Sequence, residues 1–318
     1  MSDIPTRPEL PSALQQSVAQ SRKVFVSAMA DIRPRLHKFC ARMCGSTFDG
    51  EDIVQEVLAD AFYNLSSLKD ATKFESWLFR IAYNKCIDHL RRMKSRAEDP
   101  SFTDEHDVPE SNVDEESVAI PTDDALVALI GELPPKERAA VLLKEVLDYS
   151  LTETAEVIDS TLGGVKSALH RARTKLNAMT VVPQTSSLDV HQKRLFTAYA
   201  EVFNKRDWEA LSRLVRADAR LEIVGEVRGD MRVIGATYHT NYERLPWEWR
   251  LSAEEVESRL VIVHWRRTDG SWQVHSAVQL LWDGESVVGI KDYVHVPYLF
   301  RDVAWAASVA SVAVRAQT

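Results

Sequence analysis

Between Ala97 and Asp124 the chain carries eleven carboxylates and no Lys or Arg, and Pro100, Pro109 and Pro121 interrupt the run. Such a segment cannot bury enough apolar surface to order itself, so it divides the chain into parts that must fold on either side of it. It also concentrates the acid. The formal net charge is −8, yet the flanking blocks hold dense local clusters of Lys and Arg, and attraction to phosphate depends on such clusters rather than on the sum. A uniformly basic DNA-coating protein is excluded. A protein with local basic grips is not.

A chain of 318 residues, 45% of them hydrophobic, has room for two or three cored domains. No apolar run approaches the roughly 20 residues that span a bilayer, and residues 1–20 hold no signal-peptide core, so a cytoplasmic chain without a membrane partner is expected. The expected boundaries are a flexible N-terminus (1–20), a helical domain (21–96), the acidic linker (97–124), a helix-turn-helix domain (125–180), a short linker (181–189) and an α+β domain (190–318). The fold class is therefore multidomain: two all-α domains followed by an α+β one. The three cysteines, Cys40, Cys44 and Cys86, fit a reducing compartment. His37, Cys40 and Cys44 share a helical face, but zinc takes four ligands and no fourth is near. Core packing is expected there, with no metal and no cofactor.

In the first helical block, Ile53, Val54, Val57, Leu58, Ala61, Phe62 and Leu65 form one apolar stripe. Asp52, Gln55, Glu56 and Asp60 lie opposite, either as a solvated face or as an acidic dock for a basic partner. The next helix opens with Thr72 and Glu75 at capping-box spacing. Phe74, Trp77, Leu78, Ile81 and Leu90 pack inward. Lys73, Arg80, Asn84, Lys85, Asp88, Arg91 and Arg92 are left outside. The cations past Lys85 exceed what a helix C-terminus needs. Amide, carboxylate and guanidinium groups beside a polar loop suit contact with unpaired bases and their backbone.

In the second block, Leu133-Pro134-Pro135 starts a helix, with proline tolerated in the first turn. Ser150 and Glu153 form another capping box, and Asp159-Ser160-Thr161 offers N-cap groups for a third helix, Leu162 to Lys175. Short helix, tight turn and basic helix make a helix-turn-helix. Lys166, Ser167, His170, Arg171 and Arg173 are its groove candidates, although a plain three-helix bundle also ends in an amphipathic helix.

These residues resemble the bacterial sigma factors of the extracytoplasmic-function (ECF) group of the sigma-70 family. D-G-E-D-I-V-Q-E-V-L-A-D-A-F (Asp49 to Phe62) and F-E-S-W-L-F-R-I-A-Y-N-K-C-I-D-H-L-R-R (Phe74 to Arg92) look like region 2. L-P-P-K-E-R-A-A-V-L-L-K-E-V (Leu133 to Val146) and G-G-V-K-S-A-L-H-R-A-R-T-K-L (Gly163 to Leu176) look like region 4. The resemblance implies partners and roles. Asp52, Gln55, Glu56 and Asp60 would engage core RNA polymerase. Lys73, Arg80, Asn84, Lys85, Asp88, Arg91 and Arg92 would capture the melted minus-ten strand of promoter DNA. Lys166, Ser167, His170, Arg171 and Arg173 would read the minus-thirty-five element. No covalent catalysis is implied.

In the last third, the Leu195–Tyr199–Val202–Phe203 helix face and a second helix near Trp208 precede a strand at Leu221 to Val224. Val227-Arg228-Gly229 leads into a further helix, and alternation over Arg259 to Arg266 and Trp272 to Trp282 gives strands. Helices followed by a curved sheet resemble the α+β cone of polyketide-cyclase-like (SnoaL-like) and ketosteroid-isomerase-like proteins. His264, His275 and Asp292 are the pocket candidates, and Asp292 with His275 would be an acid–base pair suited to proton abstraction beside a carbonyl. Regulation in cis, a small-ligand sensor and an active isomerase or cyclase are the readings left open for this part. An anti-sigma factor is a further partner left open, and a helix-turn-helix regulator that works without polymerase is the alternative for the whole.

Overall fold

The computed structural model describes residues 20–21, 24–25, 27–96, 131–178, 189–225, 227–231, 238, 241–257 and 259–300, and the chain divides into two units, Met1–Thr180 and Val181–Thr318. The expected flexible N-terminus and acidic linker, the onset of the second helical block at 125–130 and the linker 181–189 lie outside the described residues, save Gln20 and Asp189.

In the first unit, α1 (Ile32–Cys44) ends at Gly45, whose φ of +73° lets its N–H return to the Ala41 carbonyl. Ser46 then caps α2 (Thr47–Asn64), its Oγ accepting from the Asp49 N–H at 3.2 Å. The two helices touch backbone to backbone at Gly50, where an added Cβ would lie 2.5 Å from Ala41 N. The apolar stripe of α2 faces inward along the helix, where Ile53, Val54, Val57 and Ala61 are buried, but Leu65, read as its last member, falls in the 3-10 turn after Asn64 and is exposed.

The helix α3 (Phe74–Arg96) starts differently from the sequence expectation. A 3-10 turn at Ala71–Lys73 leads into it, capped by Asp70, whose carboxylate accepts from Thr72 N–H at 2.9 Å and Thr72 Oγ1 at 2.6 Å. Glu75 is drawn away from a capping role by Arg35 and by Tyr149, which donates its hydroxyl at 2.9 Å. A long-range pair outcompetes the local one.

The second helical block contributes α4 (Pro135–Val141), which runs on as a π-turn over Leu142–Val146, then α5 (Leu151–Val157) and α6 (Leu162–Ala178). The capping box at α5 forms as read. Ser150 Oγ accepts from Glu153 N–H at 3.2 Å, and Glu153 Oε2 accepts from Ser150 N–H at 2.8 Å. Thr161 Oγ1 accepts from Gly164 N–H at 3.0 Å and so caps α6. Asp159 turns the chain between α5 and α6 at a φ of +51°.

Two separate helical domains are expected from the sequence, but their described parts share one core. Leu36, Phe39, Ile53, Leu78 and Phe79 lie in the same buried cluster as Leu133, Leu142, Tyr149, Val165 and Leu169. Tyr149 packs its ring 5.3 Å from that of Phe79. Arg138, buried on α4, donates to the carbonyls of Met43, Gly131 and Leu133. Amphipathic periodicity gives each block an apolar face. It does not say that the two faces meet each other.

The second unit opens with α7 (Val190–Asn204) and α8 (Trp208–Leu214), capped by Asp189 and Asp207. Its described residues form six strands, β1 (Val215–Ile223), β2 (Val227–Asp230), β3 (Trp249–Val256), β4 (Arg259–Thr268), β5 (Ser271–Asp283) and β6 (Ser286–Asp292), in the order β2-β1-β6-β5-β4-β3. Among the described strands only β1 and β6 run parallel. The segment 227–229 belongs to β2, paired antiparallel with β1, rather than leading straight into a helix. The helix α7 lies against β3 and β4, and Phe196, Tyr199 and Phe203 join Leu251, Ile262, Val278 and Ile290 in the core. This is the α+β architecture read from the sequence. No helix among the described residues is long and apolar enough to cross a membrane.

Candidate nucleic-acid and polymerase interfaces

On α3, Arg80, Asn84, Asp88 and Arg91 are exposed and fall three or four residues apart, which puts them on one stripe of the helix. Arg92 is exposed beside them, its Nε donating to the Asp88 carbonyl at 3.3 Å, and Lys73 is exposed at the helix entrance. Lys85 departs from the group. It is half-buried and turns to α2, where its Nζ lies 2.8 Å from Asp60 Oδ2 and 3.6 Å from Glu56 Oε2. The Asp60 hydrogen bond, with the charges of Asp60 and Glu56 behind it, raises the Lys85 pKa. One residue expected on the strand is therefore engaged by two expected on the polymerase.

Glu56 is exposed, while Asp52, Gln55 and Asp60 are half-buried. Gln55 Nε2 donates to Glu51 Oε1 at 2.6 Å, and the fully buried Glu51 is paired with Arg33 at 2.5 Å.

On α6 the five groove candidates separate. Lys166 and His170 are exposed, one turn apart. Ser167 is buried, because it falls on the inward row beside Ala168. Arg171 Nε lies 2.9 Å from Glu137 Oε1, and Lys175 Nζ lies 3.0 Å from Glu137 Oε2. Arg173 pairs with Glu145 at 2.7 Å. Glu137 and Glu145 are residues the sequence reading missed. Their role depends on contacts 34 and 28 residues away, and nothing in the local pattern of α4 marks Glu137 as nearly fully buried.

In the second unit, His264 and Asp292 are fully buried and His275 half-buried. Asp292 Oδ2 accepts from Tyr242 at 2.6 Å and Tyr238 at 2.9 Å, and Oδ1 accepts from Val294 N–H at 2.9 Å. Burial holds its carboxyl above the usual carboxylate range, although these three donors pull the other way. His264 Nδ1 sits 3.2 Å from Ser276 Oγ, and its ring centroid is 5.2 Å from that of Tyr242 and 5.0 Å from that of His275. Burial first, and His275 second, push His264 down to about 3. His275 is lowered by burial, then by Arg266 and His295. Asp292 thus meets two tyrosines rather than the His275 suggested as its acid–base partner. Those tyrosines went unread, though their four-residue spacing was visible.

Cys40 and Cys44 on α1 meet Cys86 on α3 through thiol hydrogen bonds, and burial is the main cause that raises Cys40 and Cys86. His37 Nε2 lies 3.0 Å from the Thr47 carbonyl oxygen. Among the described residues no group of three or more His, Cys, Asp or Glu is arranged to hold a metal.

Comparison with known proteins bears on these faces. The Sigma-70 region 2 family matches residues 29–96, and the Sigma-70, region 4 family matches residues 123–176. The ECF RNA polymerase sigma factor SigW of Bacillus subtilis is 31% identical over 181 residues, covering 51% of this chain and 94% of that protein. SigG of Mycobacterium tuberculosis is 30% identical over 234 residues, covering 64% of this chain and 62% of that protein. Among solved structures, the extracytoplasmic function sigma factor SigJ of Mycobacterium tuberculosis is similar over 87% of this chain and 98% of that one, at 18% identity and a TM-score of 0.34.

Proposed function

From a chain that belongs to the ECF RNA polymerase sigma factors, we propose the following division of labour. The α2 face of Asp52, Gln55, Glu56 and Asp60 docks on core polymerase. The α3 stripe of Arg80, Asn84, Asp88, Arg91 and Arg92, with Lys73, holds the unpaired minus-ten strand. Lys166 and His170 enter the major groove at the minus-thirty-five element, with Arg171 and Arg173 reaching the backbone from their carboxylate anchors. The factor makes and breaks no covalent bond. Binding energy spent on an unpaired strand favours the open duplex.

The observation that carries this reading is the sorting of charge on the first unit: an acidic outer face on α2 and a basic, amide-bearing stripe on α3, followed by a helix-turn-helix. A helix-turn-helix regulator that acts without polymerase has no use for the first of these. Glu56→Arg, assayed by co-elution with core RNA polymerase, is expected to weaken assembly while leaving duplex DNA binding by α6 intact. Unchanged assembly would favour the polymerase-free regulator. Such a factor works in the cytoplasm.

For the second unit we infer regulation in cis rather than turnover. The Asp292 carboxylate already accepts three hydrogen bonds in a fully buried setting, which supports a structural role over that of a free general base. Truncation after Met179 is expected to change promoter output without abolishing assembly with core enzyme. Unchanged output would remove the regulatory role.

A further inference from the structure

A groove of about 560 Å³ runs through the first unit between the α3 entrance and the helix-turn-helix. Lys69, Lys73, Trp77 and Arg80 line one wall, and Glu156 and Asp159 line the other. Two ion pairs cross it. Lys73 Nζ lies 2.7 Å from Glu156 Oε1, and Arg80 NH2 lies 3.0 Å from Asp159 Oδ1. We propose that the end of α5 and the turn after it act as a competitor for the promoter strand, with the Glu156 and Asp159 carboxylates taking the places of strand phosphates on Lys73 and Arg80. The free chain is then closed to single-stranded DNA until its two helical halves part. This rests on the reading of the α3 face as the strand-holding surface.

Three features make the contact more than incidental surface pairing. Both acids come from the other helical block, 83 residues from Lys73 in one case, so neither pair is a local helix contact. Both cations belong to the stripe assigned to the strand, and both are otherwise exposed. The closure is also backed by groups that carry no competing charge. Tyr149 packs on Phe79 and donates to Glu75, Arg35 donates to the Leu147 carbonyl at 3.3 Å, and Arg138 spans from α4 to the Met43 carbonyl.

The strength of the two ion pairs suits a reversible latch. The side chains of Lys73, Glu156, Arg80 and Asp159 are 57, 42, 48 and 80% exposed, so each pair is worth little and is screened by salt. A polyanion that releases counterions as it binds can displace them. Glu156 near the end of α5 and Asp159 in the turn after it supply the competing charge.

The test uses the full-length protein, free of polymerase, and a short fluorescent single-stranded DNA of mixed sequence read by anisotropy. Glu156→Gln with Asp159→Asn is expected to tighten binding by a few-fold to about tenfold, the range that two exposed pairs allow. Glu209→Gln with Glu255→Gln removes the same formal charge from the second unit and is expected to leave affinity unchanged. Tyr149→Ala loosens the closure without touching charge and is expected to tighten binding as well. If the Glu156/Asp159 variant binds no better than the Glu209/Glu255 variant, the latch is overturned. The same proteins are mixed with core polymerase and assayed for run-off RNA. RNA from all of them without any gain in free-chain affinity sinks the latch and spares the assigned function. No RNA from any of them takes down both.

Discussion

Tyr149 donates its hydroxyl to Glu75 across 2.9 Å, joining α3 to the loop that precedes α5, 74 residues along the chain. Glu75 also takes Arg35, and the Arg35 guanidinium lies 5.9 Å from the centre of the Tyr149 ring. Burial and the Glu75 charge both push the phenol upward, so Tyr149 stays a donor. Tyr149→Phe keeps the ring on Phe79 and loses only the hydrogen bond. It is expected to destabilise the first unit by about 1 kcal/mol in urea unfolding. A cost near zero would mean that the bond is not formed in solution.

Glu137 is the hub under α6, the helix proposed to enter the groove. It is only 1% exposed and holds both Arg171 and Lys175. Its partners are 37 and 40% exposed, so solvent screening discounts the pairs. Glu137→Gln is expected to cost about 1–2 kcal/mol of stability. It should also weaken duplex binding by freeing the Arg171 guanidinium from a fixed position. Parallel measurement of melting temperature and duplex affinity separates the two effects. A variant that loses stability but binds duplex as well as the parent would show that Arg171 needs no anchor.

His264 gives the second unit an acid-sensitive element. Its folded pKa, about 3, lies below the ordinary histidine value of 6.5. The unfolded chain therefore takes up the proton first, and the stability that His264 confers is lost as pH falls from about 6.5 toward 3. Asp292 works in the opposite direction. Its folded pKa is raised, so stability is lost as pH rises from the ordinary aspartate value through the folded one. Comparison with His264→Gln isolates the histidine. Between pH 6 and 4 the parent should lose stability relative to the variant by up to about 1.4 kcal/mol per pH unit. A constant difference would contradict a neutral buried His264.

Much of this was legible in the sequence, and the reason is local periodicity. Ile53, Val54, Val57 and Ala61 are spaced for one helix face, and Ser150 with Glu153 is a self-contained cap. Both formed as read. What stayed hidden was non-local. The Thr72–Glu75 box failed because Glu75 finds Arg35 and Tyr149 instead. Lys85 reads as a free cation until α2 is placed beside it. Arg171 and Ser167 look equally available on a helical wheel, yet one is anchored to Glu137 and the other faces the core. The joining of two helical blocks into one core rests on Arg138 and Tyr149, which no window of neighbouring residues identifies. Likewise, Asp292 and His275 look like a pair until Tyr238 and Tyr242 fill the space around the carboxylate.

The most direct test of the account is run-off transcription by purified core RNA polymerase on pooled upstream fragments, with and without the full-length chain. RNA starting at discrete sites only when the chain is present, and lost with Arg80→Ala plus Asn84→Ala, is the predicted result. Absence of chain-dependent starts on every fragment, or starts unaffected by loss of Arg80 and Asn84, would contradict it.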